Sequence, residues 1–494
     1  MAIPPPQSSG NANNTCATCL RKFTINFRRK YEDLKGVSSY TGEYGFDWLR
    51  DEYYNPILEL KDNTKTKIFD IDMISGVADL KESYKKGVKL VSPFGVEYFP
   101  STLSIFSEKF IKEKKFIKIK SEVTLDLEIH QVSGDEAPLD LTDDTELEFK
   151  SSSRKLKFSL LGISDFKNKQ RIRLIDLIGG GQKVKKIDLI NNIERKFYKY
   201  ENAITVKVMG SGIDVDSVIE VHSIRKGKKE LVGILNVAKN KQVKVAKYAI
   251  INVLGDGSPI ATITDLEVIL KERSLNQALV DVVIEKNEIF DLRQHINYPE
   301  VSSFIQDFYY TRSTYSAGSA GSYVESSRTT EFIERLMDIY EKVNNLPYKI
   351  NSDTNEITYL FLTNVDMGSE TIHPNGDIET GGIEGSATLA HELGKTSEQW
   401  GNLLVMFQAG MNNVTTFLHE LGHTFGLFHV FENQDLNRFI MGHTDNMMDY
   451  EYHDDGFEGV NAPNITSEFS TMQFSLYRWQ WAIINADRST RNAK

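Results

Sequence analysis

Cysteine is nearly absent from this chain: Cys16 and Cys19 are the only two in 494 residues. A fold built on disulfides is therefore excluded. Their C-x-x-C spacing could supply half of a zinc knuckle, but no second pair exists to complete it. Distant histidines could complete such a site, a redox role is a second use, and a free thiol could also cap a zinc as a latency switch. Long apolar runs are also missing, and none approaches the ~20 residues needed to span a bilayer. Basic charge is in deficit, with 58 Lys and Arg against 69 Asp and Glu and a net charge of −11. That balance argues against a nucleic-acid partner, since neutralising phosphates needs a basic surface. The opening "MAIPPPQSSGNANNTCATC" has neither the charged nor the apolar stretch of a secretory signal. The expected location is therefore the cytoplasm, or outside it by a signal-independent route such as an injection apparatus, unless the sequence begins after processing.

What is present is the composition of a globular protein, 40% apolar and 26% charged. A chain this long is expected to divide into about two to four domains. Residues 1–22 read as a disordered tail rich in Pro, Ser and Asn. Residues 23–108 are aromatic-rich without a clean period, and suggest a small mixed α/β module of unknown role. In "VTLDLEIHQV", Val123, Leu125, Leu127 and Ile129 alternate with Thr124, Asp126, Glu128 and His130. A period of two describes a strand buried on one face, with His130 on the solvent side. The same alternation in "AITVKVMG" and "KVAKYAIINV", and a hairpin turning at Gly227, make residues 109–258 one or two β-sandwich modules of immunoglobulin-like type. "GGGQKVKK" lacks the ending of a phosphate loop and reads as a linker between modules. From residue 263 to 494 helical and strand patterns alternate. "TTEFIERLMDIYEKVNNL" places Phe332, Leu336, Ile339, Tyr340 and Val343 on one helical face.

The chemistry gathers in a near-repetition, "AHELGKT" at 390–396 and "LHELGHT" at 418–424. The second extends to "HELGHTFGLFH", preceded by the helix-capping residues Asn412, Asn413 and Thr415. On a helix His419 and His423 are i,i+4 neighbours, a spacing that lets two imidazoles grip one tetrahedral ion. Glu420 falls on the adjacent edge, within reach of a water at that ion without being a ligand. Gly426 can take the positive φ that ends a helix, and the chain can then turn back to bring in His429 as third ligand. The first copy has Lys395 where the second has His423, and an ammonium offers no lone pair to a metal. It also has Gly401 at the position of His429. That copy is therefore expected to be a coincidence of composition and not a second site.

Met448 lies nineteen residues beyond His429, in "TDNMMDY". With this turn and the H-E-x-x-H-x-x-G-x-x-H helix, the chain resembles the metzincin clan of zinc peptidases. It is nearest to the pappalysin-like (cytophagalysin) branch, where "MDY" and a later "F-[ST]-x-x-Q" occur; here the latter reads "EFSTMQFSLYR". The resemblance covers roughly 263–494, tightly only 415–450, and departs from that branch in lacking any cysteine in this region. It implies an α+β zinc peptidase domain with one catalytic Zn2+ on His419, His423 and His429, and Glu420 as general base. Met448 would lie in the turn beneath the metal, with Met447 the competitor for that place. Tyr450 resembles the tyrosine that some metzincins bring to the oxyanion; a packed tyrosine is the alternative. The strand around 385–391 would be the sheet edge along which a protein or peptide substrate pairs.

The sequence thus suggests a multidomain zinc endopeptidase whose β-rich N-terminal modules serve targeting, delivery or latency, by binding a delivery or targeting partner. Two rivals remain: an inactive binding or structural protein acting through its β-modules, and a zinc hydrolase of a non-peptide amide. His443 and His453 read as surface residues rather than further ligands. The acidic run "YHDDGFEG" could hold calcium. Tyr315 and Tyr323, in a Ser/Gly-rich loop, could contact substrate.

Overall fold

The computed structural model describes residues 20, 22–30, 40–49, 59–61, 67–69, 77–132, 144–162, 165–188, 193–259, 261–315, 322–352, 355–374, 377–387, 402–431, 437, 439, 444–450 and 473–492. Cys16, Cys19, the first copy of the repeated word with His391, Glu392 and Lys395, Gly401, the acidic run at 452–459, His443 and His453 lie outside them. Among the described residues, no helix is long and apolar enough to cross a membrane.

The chain is β-rich, with several sheets. Two of these face each other in the N-terminal half. In the first, Glu122–Gln131 lies between Phe23–Arg29 and Ile193–Val208, all antiparallel, with Gln182–Asp188 and Leu156–Leu160 also on the last of these. The second runs in the order 45–47, 101–104, 228–237, 217–225, 146–151 and 169–173. Phe23, Ile25, Phe27, Leu125 and Leu127 from one sheet and Phe46, Leu103, Phe149, Ile219 and Val221 from the other share one buried core. Period-two patterning explains this, since each strand gives alternate side chains to the space between the sheets. Lys226 and Gly227 both take positive φ, +46° and +80°, and join 217–225 to 228–237 through the expected tight hairpin.

Several expectations are corrected. Residues 23–29 and 101–104, assigned to a separate module over 23–108, are strands of the two facing sheets. "GGGQKVKK" is not a linker: its residues lead into a strand paired with 193–208. His130 does not face open solvent, because its ring stacks on Phe197 with centroids 4.6 Å apart and its Nε2 meets Glu128 at 3.0 Å. The polar face of that strand is covered by cross-strand ion pairs, Glu128 with Arg28 at 3.0 Å and Asp126 with Lys199 at 3.5 Å. Alternation reveals which phase is apolar, not what covers the other one.

The "KVAKYAIINV" strand, expected in the sandwich region 109–258, belongs elsewhere. Lys244–Leu254 pairs in parallel with both Val280–Asp291 and Ile357–Thr363. The latter pairs in parallel with Leu403–Met406, and Gly385–Ala387 closes the sheet's far end antiparallel to 403–406. Such strands are buried on both faces and read as continuous apolar runs. Leu360 and Leu362 point into one core with Phe417, Leu418 and Leu421 of the helix Val414–His423 and with Trp481 of the helix Arg478–Ala486. Tyr359 and Phe361 point into the opposite core, with Phe332, Leu336 and Ile339 of the helix Thr329–Val343. Helices thus cover both faces of a five-strand path, and the histidine-bearing helix lies on one of them.

Because 244–254 is the inner strand of this sheet, a fragment spanning 263–494 lacks a central ladder partner. Expressed alone, it should show no cooperative thermal transition and no native near-ultraviolet circular dichroism. A sharp, reversible melt of that fragment would contradict the assignment.

Candidate metal centre

The helix Val414–His423 begins where Asn413 caps it, its side-chain oxygen accepting from the Thr416 amide at 3.2 Å. The Asn413 amide group and the Thr416 hydroxyl both donate to one oxygen of Glu384, at 2.8 and 2.5 Å. Glu384 immediately precedes the edge strand Gly385–Ala387, so this carboxylate fixes the helix start to the sheet edge. The helix ends as the sequence indicated: Gly426 takes φ +77°, and its amide and that of Leu427 return to the carbonyls of His423 and Gly422.

That reversal brings three imidazoles together. His429 Nε2 lies 3.1 Å from His419 Nε2 and 3.1 Å from His423 Nε2. His419 Nδ1 donates to the Met447 carbonyl at 2.9 Å, and His423 Nδ1 to the Leu427 carbonyl at 2.7 Å. A ring whose Nδ1 carries the proton presents Nε2 as a bare lone pair. Burial, and secondarily the neighbouring His429, push the His419 imidazole down to about 3, so it stays neutral at ordinary pH. Lone pairs this close repel unless a cation lies among them. Two nitrogens ~2.0–2.1 Å from a tetrahedral zinc ion would stand about 3.3 Å apart, close to the two 3.1 Å contacts, and the three ligand atoms all lie within 4.8 Å of one another, so the donor set could hold one such ion. Among the described residues, this is the one group of three or more His, Cys, Asp or Glu whose ligand atoms converge.

The floor of the site is the segment 444–450. Thr444 donates to Asp449 through both amide and hydroxyl, at 2.8 and 2.7 Å. Asn446 accepts from the Met448 amide at 2.9 Å, and its side chain exchanges two hydrogen bonds with Gln480, at 2.7 and 3.1 Å. Met448 is fully buried, and its sulfur lies against Gly422, where a Cβ would collide with it. Between the two methionines, Met448 thus supplies the packed side chain, and Met447 supplies the carbonyl that orients His419.

Glu420 is half-buried on the same helix, next to the edge strand. A side chain at Gly385 would run into the Glu420 Cγ and the Met406 sulfur, so the glycine makes room for the carboxylate. Tyr450 is 44% exposed, with its ring 4.8 Å from that of His429 and 5.4 Å from that of His419. Phe431 lies parallel to His429 at 4.8 Å and 4.9 Å from Tyr450, completing an aromatic wall. Tyr315 and Tyr323 stack on each other at 4.3 Å and pack over Gly368.

Glu384, Gly422, Phe431, Asn446, Asp449 and Gln480 escaped the sequence reading. Gly422 was open to detection, since a glycine inside a helix costs about 1 kcal/mol relative to alanine and so points to a close packing partner. The others are ordinary polar or aromatic residues whose partners are remote in sequence, and nothing local marks them.

Gly422→Ala should lower the thermal midpoint by several degrees despite its better helix propensity, because overpacking costs about 1–3 kcal/mol. In a Met448→Ala background the same substitution should become neutral or stabilising, a coupling that calorimetry of the four proteins measures. Additive effects would show that the two residues do not touch. No family model matches this chain, and no curated protein matches it in sequence.

Proposed function

We propose that this protein is a zinc-dependent endopeptidase of metzincin type, resembling the pappalysin-like branch. The observation that carries the reading is the convergence of three imidazoles, with His429 Nε2 3.1 Å from both His419 Nε2 and His423 Nε2, beside a helix that also bears Glu420. His419, His423 and His429 would hold the ion. Zinc in such a site supplies Lewis acidity, polarising a carbonyl oxygen and acidifying water toward a pKa of ~7.

The chain's own residues do the rest. Glu420 accepts a proton from the attacking water and returns it to the leaving amine, which general acid–base geometry on one carboxylate permits. Met448 and the hydrogen bonds of 444–450 keep the ligand rings from drifting, so little reorganisation accompanies reaction. Tyr450, beside two ligand rings and open to solvent, donates its hydroxyl to the oxyanion. A substrate in extended form adds to the edge strand Gly385–Ala387, whose neighbour on the other side is 403–406. That edge favours a peptide over a small non-peptide amide, because a lone amide has no strand to pair. The two facing sheets of the N-terminal half would be the sandwich-type unit that serves targeting, delivery or latency. The intact set of Glu420 and three histidines supports an active enzyme over an inactive binding protein.

Wild-type protein should bind one equivalent of zinc and cleave denatured protein substrates. Glu420→Gln should keep the zinc and lose about 10²–10⁴-fold in turnover. A wild-type chain without stoichiometric zinc, or a variant of undiminished activity, would sink the mechanism. Tyr450→Phe should lower kcat about tenfold or more with KM little changed, as expected for a donor felt only in the transition state. Equal kcat in the two proteins would leave Tyr450 as packing alone.

A further inference from the structure

Arg29 ends a strand of the N-terminal two-sheet unit, yet its guanidinium lies beneath the metal centre. Its Nη2 meets Asp445 Oδ2 at 2.9 Å, with the two side chains only 3% and 1% exposed. Its Nη1 donates to the Ser475 hydroxyl, which donates in turn to the same Asp445 oxygen at 2.7 Å. The other Asp445 oxygen accepts from the Tyr477 hydroxyl at 3.2 Å. The guanidinium also stacks over the Tyr40 ring, 4.0 Å from its centroid, and 5.4 Å from that of Trp48. A planar fork that satisfies a carboxylate and a hydroxyl while lying on an aromatic face is a task for arginine and not for lysine.

What Asp445 touches gives this ion pair its meaning. Its carbonyl accepts from the Ser475 amide at 2.9 Å, and the Ser475 carbonyl accepts from the Met447 amide at 2.9 Å. Met447 is the residue whose own carbonyl orients His419. Other contacts join the same two parts of the molecule, such as Asp47 with the Tyr84 hydroxyl and the Arg478 amide, both at 2.9 Å. Those meet Tyr84 and the first residue of the helix 478–486, whereas Arg29 bonds directly to Asp445, one residue from Asn446 and two from Met447.

We propose that Arg29 is a positioning residue for the metal centre, through which the N-terminal unit holds the 445–448 turn, and with it the Met447 carbonyl, against His419. The proposal rests on the zinc reading above. It gives the N-terminal unit a task inside the active site, separate from any targeting or delivery.

The test uses the full chain and three variants, Arg29→Met, Arg29→Lys and Tyr84→Phe. Zinc affinity is measured by chelator competition, cobalt(II) substitution reports ligand geometry through its visible band, and calorimetry of the metal-free protein reports stability. Loss of outer-shell support typically weakens metal binding about 10–100-fold. Arg29→Met should therefore bind zinc at least about tenfold more weakly and shift the cobalt band. Arg29→Lys should fall between it and wild type. Tyr84→Phe should lower the thermal midpoint and leave both metal readouts unchanged. Wild-type affinity and an unshifted band in Arg29→Met overturn the proposal whatever its melting temperature. Should that variant fail to fold, the same result in Arg29→Lys overturns it equally. A wild-type chain that takes up no zinc overturns the reading of the site itself, which is a different failure from zinc-replete variants that match wild type.

Discussion

The centre of this molecule is organised around a repulsion. Three imidazole nitrogens stand in a cluster whose closest contacts are 3.1 Å, and at least two of the rings are held in the tautomer that points a lone pair inward. Left alone, these rings would rotate apart. They cannot, because each constraint on them comes from a different part of the chain. The Leu427 carbonyl comes from the helix reversal, the Met447 carbonyl from the turn below, and the spacing of His419 and His423 from the helix itself. The cost of bringing three like dipoles together is borne by burial and hydrogen bonding elsewhere, and a cation among them would relieve it.

The sheet makes that arrangement rigid. Strand 357–363 gives alternate residues to two cores, so it cannot shift by one residue without exchanging its two faces. Strand 403–406 next to it leads directly to the capped start of the site helix. Glu384 then ties that cap to the edge strand by two charge-assisted hydrogen bonds. The histidines of that helix, Glu420 and the sheet edge are therefore tied into one hydrogen-bonded framework.

The sequence made the helical half of the site readable and left the rest obscure, for a physical reason. His419, Glu420 and His423 share one helix, and Gly426 with His429 follow within one reversal, so their geometry depends on local rules of helix period and helix ending. Met448 was also within reach, because resemblance gave its approximate distance from the helix. Arg29, Ser475 and Gln480 act through partners far away in the chain, and no periodicity encodes such pairs. The same limit explains the domain boundaries. Alternation in 244–254 announced a strand but could not say which sheet would receive it, and the aromatic stretch before residue 108 conceals strands that pair only with later ones.

The contact between Arg29 and the 445–475 region spans 416 residues to Asp445 and 446 to Ser475. Gln480, which secures Asn446, comes later still. A ribosome therefore releases all three histidines before it releases the residues that fix the floor beneath them. During synthesis the chain carries the three histidines before the residues that fix the segment beneath them have been made. The histidine cluster can therefore take its final form only after residues 475–480 have been made, so its assembly follows the synthesis of both distant segments.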